Sequence, residues 1–365
     1  MIVCVILFGG CALTHFFPPS VNNTLNQTKW STMAFVGGGV TSGDYYSIAV
    51  DGNDRIFAGV YHDGAQVFSM LSAAGIDEQW KTNISGGAPG LASLKVAYAN
   101  VWGMTYALQI ASLVQIVREI TNAWMNFSAT FNSTGLWDYY FDNSGVLFAL
   151  AQTNSTGFFV AFNSTPAGGS SWATFQSFNK DTGDSTIDLT FALDQNGNVF
   201  VGAAYFTNSR TYFNGTSGQC IYNPNPDGME YSKVVSPGNG KVYVIFKGKD
   251  NTIKAAVWQY IYPGMSLIKV IEVYDKAFFV DGSSHELGLS VVADKNSSRI
   301  YVGFLTIEGW FPKIIKIEND NILPMPDFPL ILSNSKCIKL AVNKDGKPAA
   351  AILASDNTLN IYKAW

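Results

Sequence analysis

Short apolar runs recur along the chain, and clusters of Asp, Asn and Gly interrupt them at regular intervals. The recurring unit is an apolar run, a polar turn and a second apolar run. It extends over residues 47–59, 137–150, 188–202, 231–244, 287–303 and 338–352, with a degenerate copy at 94–104. The turns begin near residues 51, 99, 142, 194, 236, 294 and 343, in steps of 48, 43, 52, 42, 58 and 49. Asp-x-x-Gly and Asn-Gly supply the left-handed backbone positions of tight hairpins. The flanking Val, Ile, Phe and Tyr fit a pleated, packed surface. Each unit continues with two further runs, giving four strands per period.

A period of about 40–50 residues with four strands is the spacing of propeller blades. One such sheet cannot bury both of its faces alone, so neighbouring sheets stack and close a ring. The last unit ends at Trp365 after three strands, and a surplus run at 30–37 precedes the first unit. The pattern therefore predicts an all-β fold: a seven-bladed β-propeller of four-stranded antiparallel blades, with the N-terminal strand closing the last blade. Over residues 29–365 the repeat resembles generic seven-bladed β-propeller repeat proteins of the short Asp/Asn-Gly type. The resemblance is architectural; such folds host binding proteins, structural modules and enzymes alike. Trp30, Trp80, Trp124 and Trp172 recur near the outer runs, where they serve packing or sugar stacking.

The first 17 residues, Met1 to Phe17, contain no charged side chain. Residues 1–19 are read as an apolar leader, 20–28 as a linker and 29–365 as the propeller. An apolar core followed by small residues fits a signal peptide cut after Ala12. Phe8-Gly9-Gly10-Cys11 loosely resembles a lipobox, and a retained assembly strand is the third option. Gly9-Gly10 and Pro18-Pro19 interrupt the apolar run, and a membrane span needs about 20 apolar residues.

Composition places the chain among globular proteins, at 47% hydrophobic and 14% charged residues. The net charge of −4, without Lys/Arg clusters, argues against a nucleic-acid partner. Charge is uneven: residues 1–200 hold 6 basic and 13 acidic side chains, and residues 201–365 hold 17 and 14. Sequons occur at Asn22, Asn26, Asn83, Asn126, Asn132, Asn154, Asn163, Asn214 and Asn296, which points to an extracellular or cell-surface glycoprotein. Beyond the leader only Cys220 and Cys337 remain, too few for a disulfide framework. Cys337 is expected on an inner strand and Cys220 toward the outside of the fourth blade, so the two are not expected to form a disulfide.

Histidine is scarce, with His15, His62 and His285 alone, so a His-rich metal site lacks its material, and a Ser-His-Asp relay would have to use His62 or His285 without a nucleophile-elbow sequence. Asp44, Asp138, Asp188, Glu230 and Glu286 each precede an inner strand and are expected near one mouth of the central channel. Such a ring suits calcium or the acid and nucleophile of glycoside cleavage; the favoured reading is that these acids accept from strand-entry backbone groups or stay solvated. Asp51-Gly-Asn-Asp and Asp194-Gln-Asn-Gly-Asn look like fragments of calcium loops but also like hairpin turns. No metal site and no cofactor is assigned. Two function classes follow. The first is a non-enzymatic extracellular module that binds protein or glycan, or self-assembles into a filament or coat through blades five to seven. The second is a carbohydrate-active hydrolase or lyase using carboxylates at the channel mouth.

Overall fold

The structure, a computed structural model, describes residues 30–33, 39–74, 78–99, 103–110, 113–120, 123–127, 135–141, 146–154, 157–163, 172–180, 186–194, 196–205, 209–213, 220–222, 229–238, 240–248, 250–261, 264–275, 277–278, 289–294, 296–308, 310–325, 328 and 334–365. The leader and linker at 1–28 lie outside them, as do Asn22, Asn26, Asn132, Asn214, His15, His285, Glu286 and residues 34–37 of the expected closing strand.

The first strand, β1 (Ser31–Thr32), stands apart from those that follow it. The first blade is β2 (Tyr46–Val50), β3 (Ile56–His62), β4 (Val67–Ala73) and β5 (Lys81–Gly87). The second is β6 (Leu91–Ala99), β7 (Gly103–Ile110), β8 (Leu113–Ile120) and β9 (Ala123–Phe127). The third is β10 (Gly135–Phe141), β11 (Leu147–Asn154), β12 (Gly157–Asn163) and β13 (Ala173–Asn179). The fourth is β14 (Thr186–Leu193), β15 (Val199–Tyr205), β16 (Ser209–Phe213) and β17 (Cys220–Tyr222). The fifth is β18 (Met229–Val235), β19 (Lys241–Gly248), β20 (Ile253–Ile261) and β21 (Gly264–Tyr274). Next come β22 (Ala277–Phe278), β23 (Ser290–Asp294), β24 (Arg299–Thr306), β25 (Pro312–Glu318) and β26 (Asn321–Pro324). The closing blade is β27 (Ser335–Val342), β28 (Pro348–Ala354) and β29 (Leu359–Lys363), with β1 as its fourth strand.

The fold is thus an all-β, propeller-like array of antiparallel sheets, with one correction. Among the described residues six four-stranded blades are present where seven were expected; the strands between Ala277 and Pro324 form a five-stranded sheet instead. There β22 pairs with Leu305–Thr306 and β23 with residues 299–303, so two short strands share one edge of β24. The closure pairs Ser31 with Lys363 and Thr32 with Tyr362, and the Met33 amide donates to the Ile361 carbonyl at 2.9 Å.

Second strands such as β28, buried along its whole length, read as continuous apolar runs. A sheet sandwiched between two others has two dry faces, so alternation disappears. The apolar clusters lie between sheets: Phe57, Tyr61 and Met70 of the first blade pack with Leu94 and Tyr106 of the second. Trp30 buries its ring edge-on to Phe328 at 4.8 Å, so this tryptophan serves packing.

One local device makes the inner hairpins. Asp51 Oδ1 accepts the amides of Asn53 and Arg55, both at 2.9 Å. Asp194 Oδ1 does the same for Asn196 and Asn198 at 2.8 Å, and Asn343 Oδ1 for Asp345 and Lys347 at 3.1 and 2.8 Å. The fourth turn residue is left-handed in each: Asp54 at φ 63°, Gly197 at 78° and Gly346 at 71°. The second carboxylate oxygens are also engaged within these loops, by Arg55 Nε at 2.6 Å and Asn198 Nδ2 at 2.8 Å. These are turn-forming Asp and Asn residues whose Oδ1 serves the backbone of its own loop.

Candidate functional site

The inner strands β2, β6, β10, β14, β18, β23 and β27 surround a cavity of about 420 Å³. Each presents a polar residue at the corresponding register: Ser47, Lys95, Asp138, Thr190, Lys233, Ser290 and Lys339. The next residues inward along the strands are Ile48, Val96, Tyr139, Phe191, Val234, Val291 and Leu340. One end of the cavity is therefore ringed by polar side chains above a mainly apolar wall.

The ring answers a backbone problem. The innermost strand of each sheet is an edge strand whose channel-side N–H and C=O groups have no further strand to pair with. Ser47 Oγ accepts the Val96 amide of the next blade at 3.1 Å. Ser290 Oγ accepts the Leu340 amide at 2.9 Å, and Asp138 Oδ2 accepts the Phe191 amide at 3.1 Å. At Lys339 the polarity reverses: its ammonium donates to the Tyr46 carbonyl at 2.5 Å and lies 4.7 Å from the centre of the Tyr46 ring. Beneath the ring, the Tyr139 hydroxyl donates to Thr105 Oγ1 at 2.9 Å, and burial pushes the Tyr139 phenol well up.

Small residues stand opposite the ring and let adjacent sheets approach. Ser47 pairs with Gly59, Thr190 with Gly202 and Ser290 with Gly303. Lys95 and Lys339 pair with Ala107 and Ala351. A Cβ on Gly202 would meet Val234 of the fifth blade at 2.7 Å, and one on Gly59 would meet Val96 at 2.9 Å.

Of the five acids expected at this mouth, Asp138 alone lines the cavity among the described residues. Its carboxylate is engaged: Oδ1 accepts the Tyr139 amide at 2.8 Å, and Oδ2 accepts both the Phe191 amide and the Thr190 hydroxyl. Asp44 sits in the 3-10 turn Gly43–Tyr45 that leads into β2. Asp188 pairs with Ala204 next to a bulge, and Glu230 falls within the bulge between Met229 and Tyr231. Among the described residues no group of three or more His, Cys, Asp or Glu could hold a metal ion. The sequence reading passed over Lys95, Lys233 and Lys339, which bring positive charge to the cavity.

Cys337 lies on β27, buried and in no disulfide among the described residues, and Cys220 begins the outer strand of the fourth blade. Asn126, Asn154 and Asn163 fall on β9, β11 and β12, while Asn296 is exposed in the hairpin after β23.

A second polar cluster joins the fifth blade to the five-stranded sheet. Asp320 accepts from Lys241 at 2.5 Å, from Lys269 at 3.2 Å and from the Tyr243 hydroxyl. Beside it, β21 presents Leu267, Ile268 and Val270 to solvent, exposed by 39%, 44% and 43%. Among the described residues β20 is its one sheet partner, so β21 is an outer edge. Leu323 on β26 and Ile307 and Trp310 after β24 are exposed as well.

No family model and no curated protein sequence matches the chain. Solved structures do. The crystal structure of BBS1N in complex with ARL6DN, soaked with lead, superposes with a TM-score of 0.57 at 9% identity, over 92% of this chain and 97% of that one. The mercury-soaked crystal of that complex gives 0.53 at 10% identity, over 90% and 94%. TolB from Acinetobacter baumannii gives 0.45 at 14% identity; the alignment covers 84% of this chain and 63% of the TolB chain. At these identities the likeness to BBS1N shows the propeller fold.

Proposed function

We propose that this protein is a non-enzymatic binding or structural module, an extracellular or cell-surface glycoprotein. It engages protein through the outer flank of the fifth blade and the adjoining five-stranded sheet, and a second copy of the same chain is the partner we favour. The carrying observation is the outer strand β21, with Leu267, Ile268 and Val270 exposed on an edge. Exposed edges with apolar side chains are the surfaces on which chains pair. Two further features support the reading. Asp138, the acid that does line the cavity, is committed to joining blades. The half of the chain that carries this flank has 17 basic and 14 acidic residues, against 6 and 13 in the other half, so copies attract head to tail. A similar propeller, BBS1N, was solved in complex with a protein, ARL6DN.

Sedimentation velocity of the full chain across a concentration series tests this. Self-association is expected, and Leu267→Lys with Val270→Lys should return the particle to monomer while its circular dichroism stays unchanged. A wild-type monomer at every concentration, or association indifferent to both substitutions, overturns the proposed partner.

A further inference from the structure

The cavity between the inner strands has features of a binding site that the docking flank does not use. Its volume, about 420 Å³, lies within the range of small-molecule pockets, roughly 300–1,000 Å³. Its lining is mainly apolar, with one polar ring and Ser236 beyond it, which is the usual composition of such pockets. The charge on that ring opposes the charge on the chain. Lys95, Lys233 and Lys339 line it from three different sheets, with Asp138 as the one carboxylate among the described lining residues, in a chain of net charge −4.

Register fixes where these lysines belong. Leu94 and Val96 lie against Gly59 of the preceding blade, so Lys95 between them lies on the opposite face of β6. Ser232 and Val234 lie against Gly202 in the same way, and Ile338 and Leu340 against Gly303, placing Lys233 and Lys339 likewise. The three lysines thus recur at one level around the ring, with the Lys339 ammonium donating to the Tyr46 carbonyl. Like charges gathered at the mouth of an apolar-walled cavity repel one another and draw in an anion. Beyond that level the wall carries Tyr98, Phe141 and Leu193, which suit a short apolar tail.

We infer that the channel binds a small organic anion, its carboxylate or phosphate head group at the level of Lys95, Lys233 and Lys339 and its apolar part along the strands below. Calorimetric titration of the full chain with inorganic phosphate and, separately, with octanoate tests it. Saturable octanoate binding is expected, weakened at least about tenfold by Lys95→Met or Lys233→Met, kept by Lys95→Arg and unchanged by Lys344→Met on the exposed far turn. Phosphate binding with the same lysine dependence supports the head-group site and assigns it to phosphates; octanoate alone assigns it to carboxylates. A rise in melting temperature with octanoate, lost in the Met variants, keeps the result independent of any folding defect they carry. If neither probe binds, or binding ignores both lysines, the inference fails. The self-association of the β21 flank is read separately and is untouched by either result.

Discussion

The amide of Phe191 donates to Oδ2 of Asp138 across the gap between the third and fourth blades at 3.1 Å. The same oxygen receives the Thr190 hydroxyl at 3.0 Å, so one carboxylate ties two residues of β14 to β10. Ser47 and Ser290 do the same at other gaps with a neutral hydroxyl.

Replacing Asp138 should therefore cost stability. Asp138→Ala leaves the Phe191 amide without its acceptor and should lower unfolding free energy by about 1–3 kcal/mol. Asp138→Asn keeps an acceptor and loses the charge, so its cost should be smaller. Urea titration of both variants at neutral pH is the check. An unchanged midpoint for the alanine variant would show that this carboxylate does not join the blades.

Acid should loosen the five-stranded sheet and its junction with the fifth blade. The Arg299 guanidinium, followed by Lys316, holds Glu318 below its usual range. Burial pushes Asp320 up, but the bonds from Lys241, Tyr243 and Lys269 outweigh it and leave its carboxyl low. Both groups titrate below their unfolded values of about 4. Their contribution is complete above that pH and is lost as pH falls through the lower folded values. Glu318→Gln with Asp320→Asn should flatten the loss of stability between about pH 4 and pH 2. Melting curves over that range decide it; an unaltered slope would assign acid sensitivity elsewhere.

Glycan occupancy should follow the exposure of the amide nitrogen. Asn296 is exposed in a hairpin, whereas Asn83 sits on β5 with Nδ2 buried and its Oδ1 facing the Ser72 hydroxyl at 3.4 Å. A sugar on Asn83 would displace that strand. In a glycosylating host, glycopeptide mass spectrometry should find Asn296 modified and Asn83 bare. A glycan on Asn83 in folded material would mean that β5 does not sit against β4 as described.

Much of this architecture was legible in the sequence because its punctuation is local. An Asp or Asn whose side chain accepts the amides two and four residues on makes its hairpin wherever it falls, as Asp51, Asp194 and Asn343 show. The closing strand was readable because the last repeat lacks a partner. The five-stranded sheet was not read, although the longest step, 58 residues between turns 236 and 294, carries the additional strand Ala277–Phe278. The polar ring was misread because charge was counted in place of register. Its members stand four residues before a turn: Ser47 before Asp51, Asp138 before Asp142, Thr190 before Asp194, Ser290 before Asp294 and Lys339 before Asn343. Asp138 stands four residues before Asp142 and so falls on the ring, whereas Asp188 stands six before Asp194 and Asp44 seven before Asp51, and both fall outside it. The exposed edge of β21 depends on what lies beside it in space, which no local pattern encodes.

The glycines opposite the ring carry a geometric burden. Gly59, Gly202 and Gly303 set how near one sheet lies to the next, and with it the angle through which each turns from its neighbour. A closed circle admits a single total for those angles. A methyl group added at Gly202 is therefore felt all the way round, since widening one sector forces others to narrow. Among the described residues the closing strand β1 is held to β29 by two residue pairs. Crowding anywhere on the circumference should surface there first, as a gap between Ser31 and Lys363, far from the side chain that caused it.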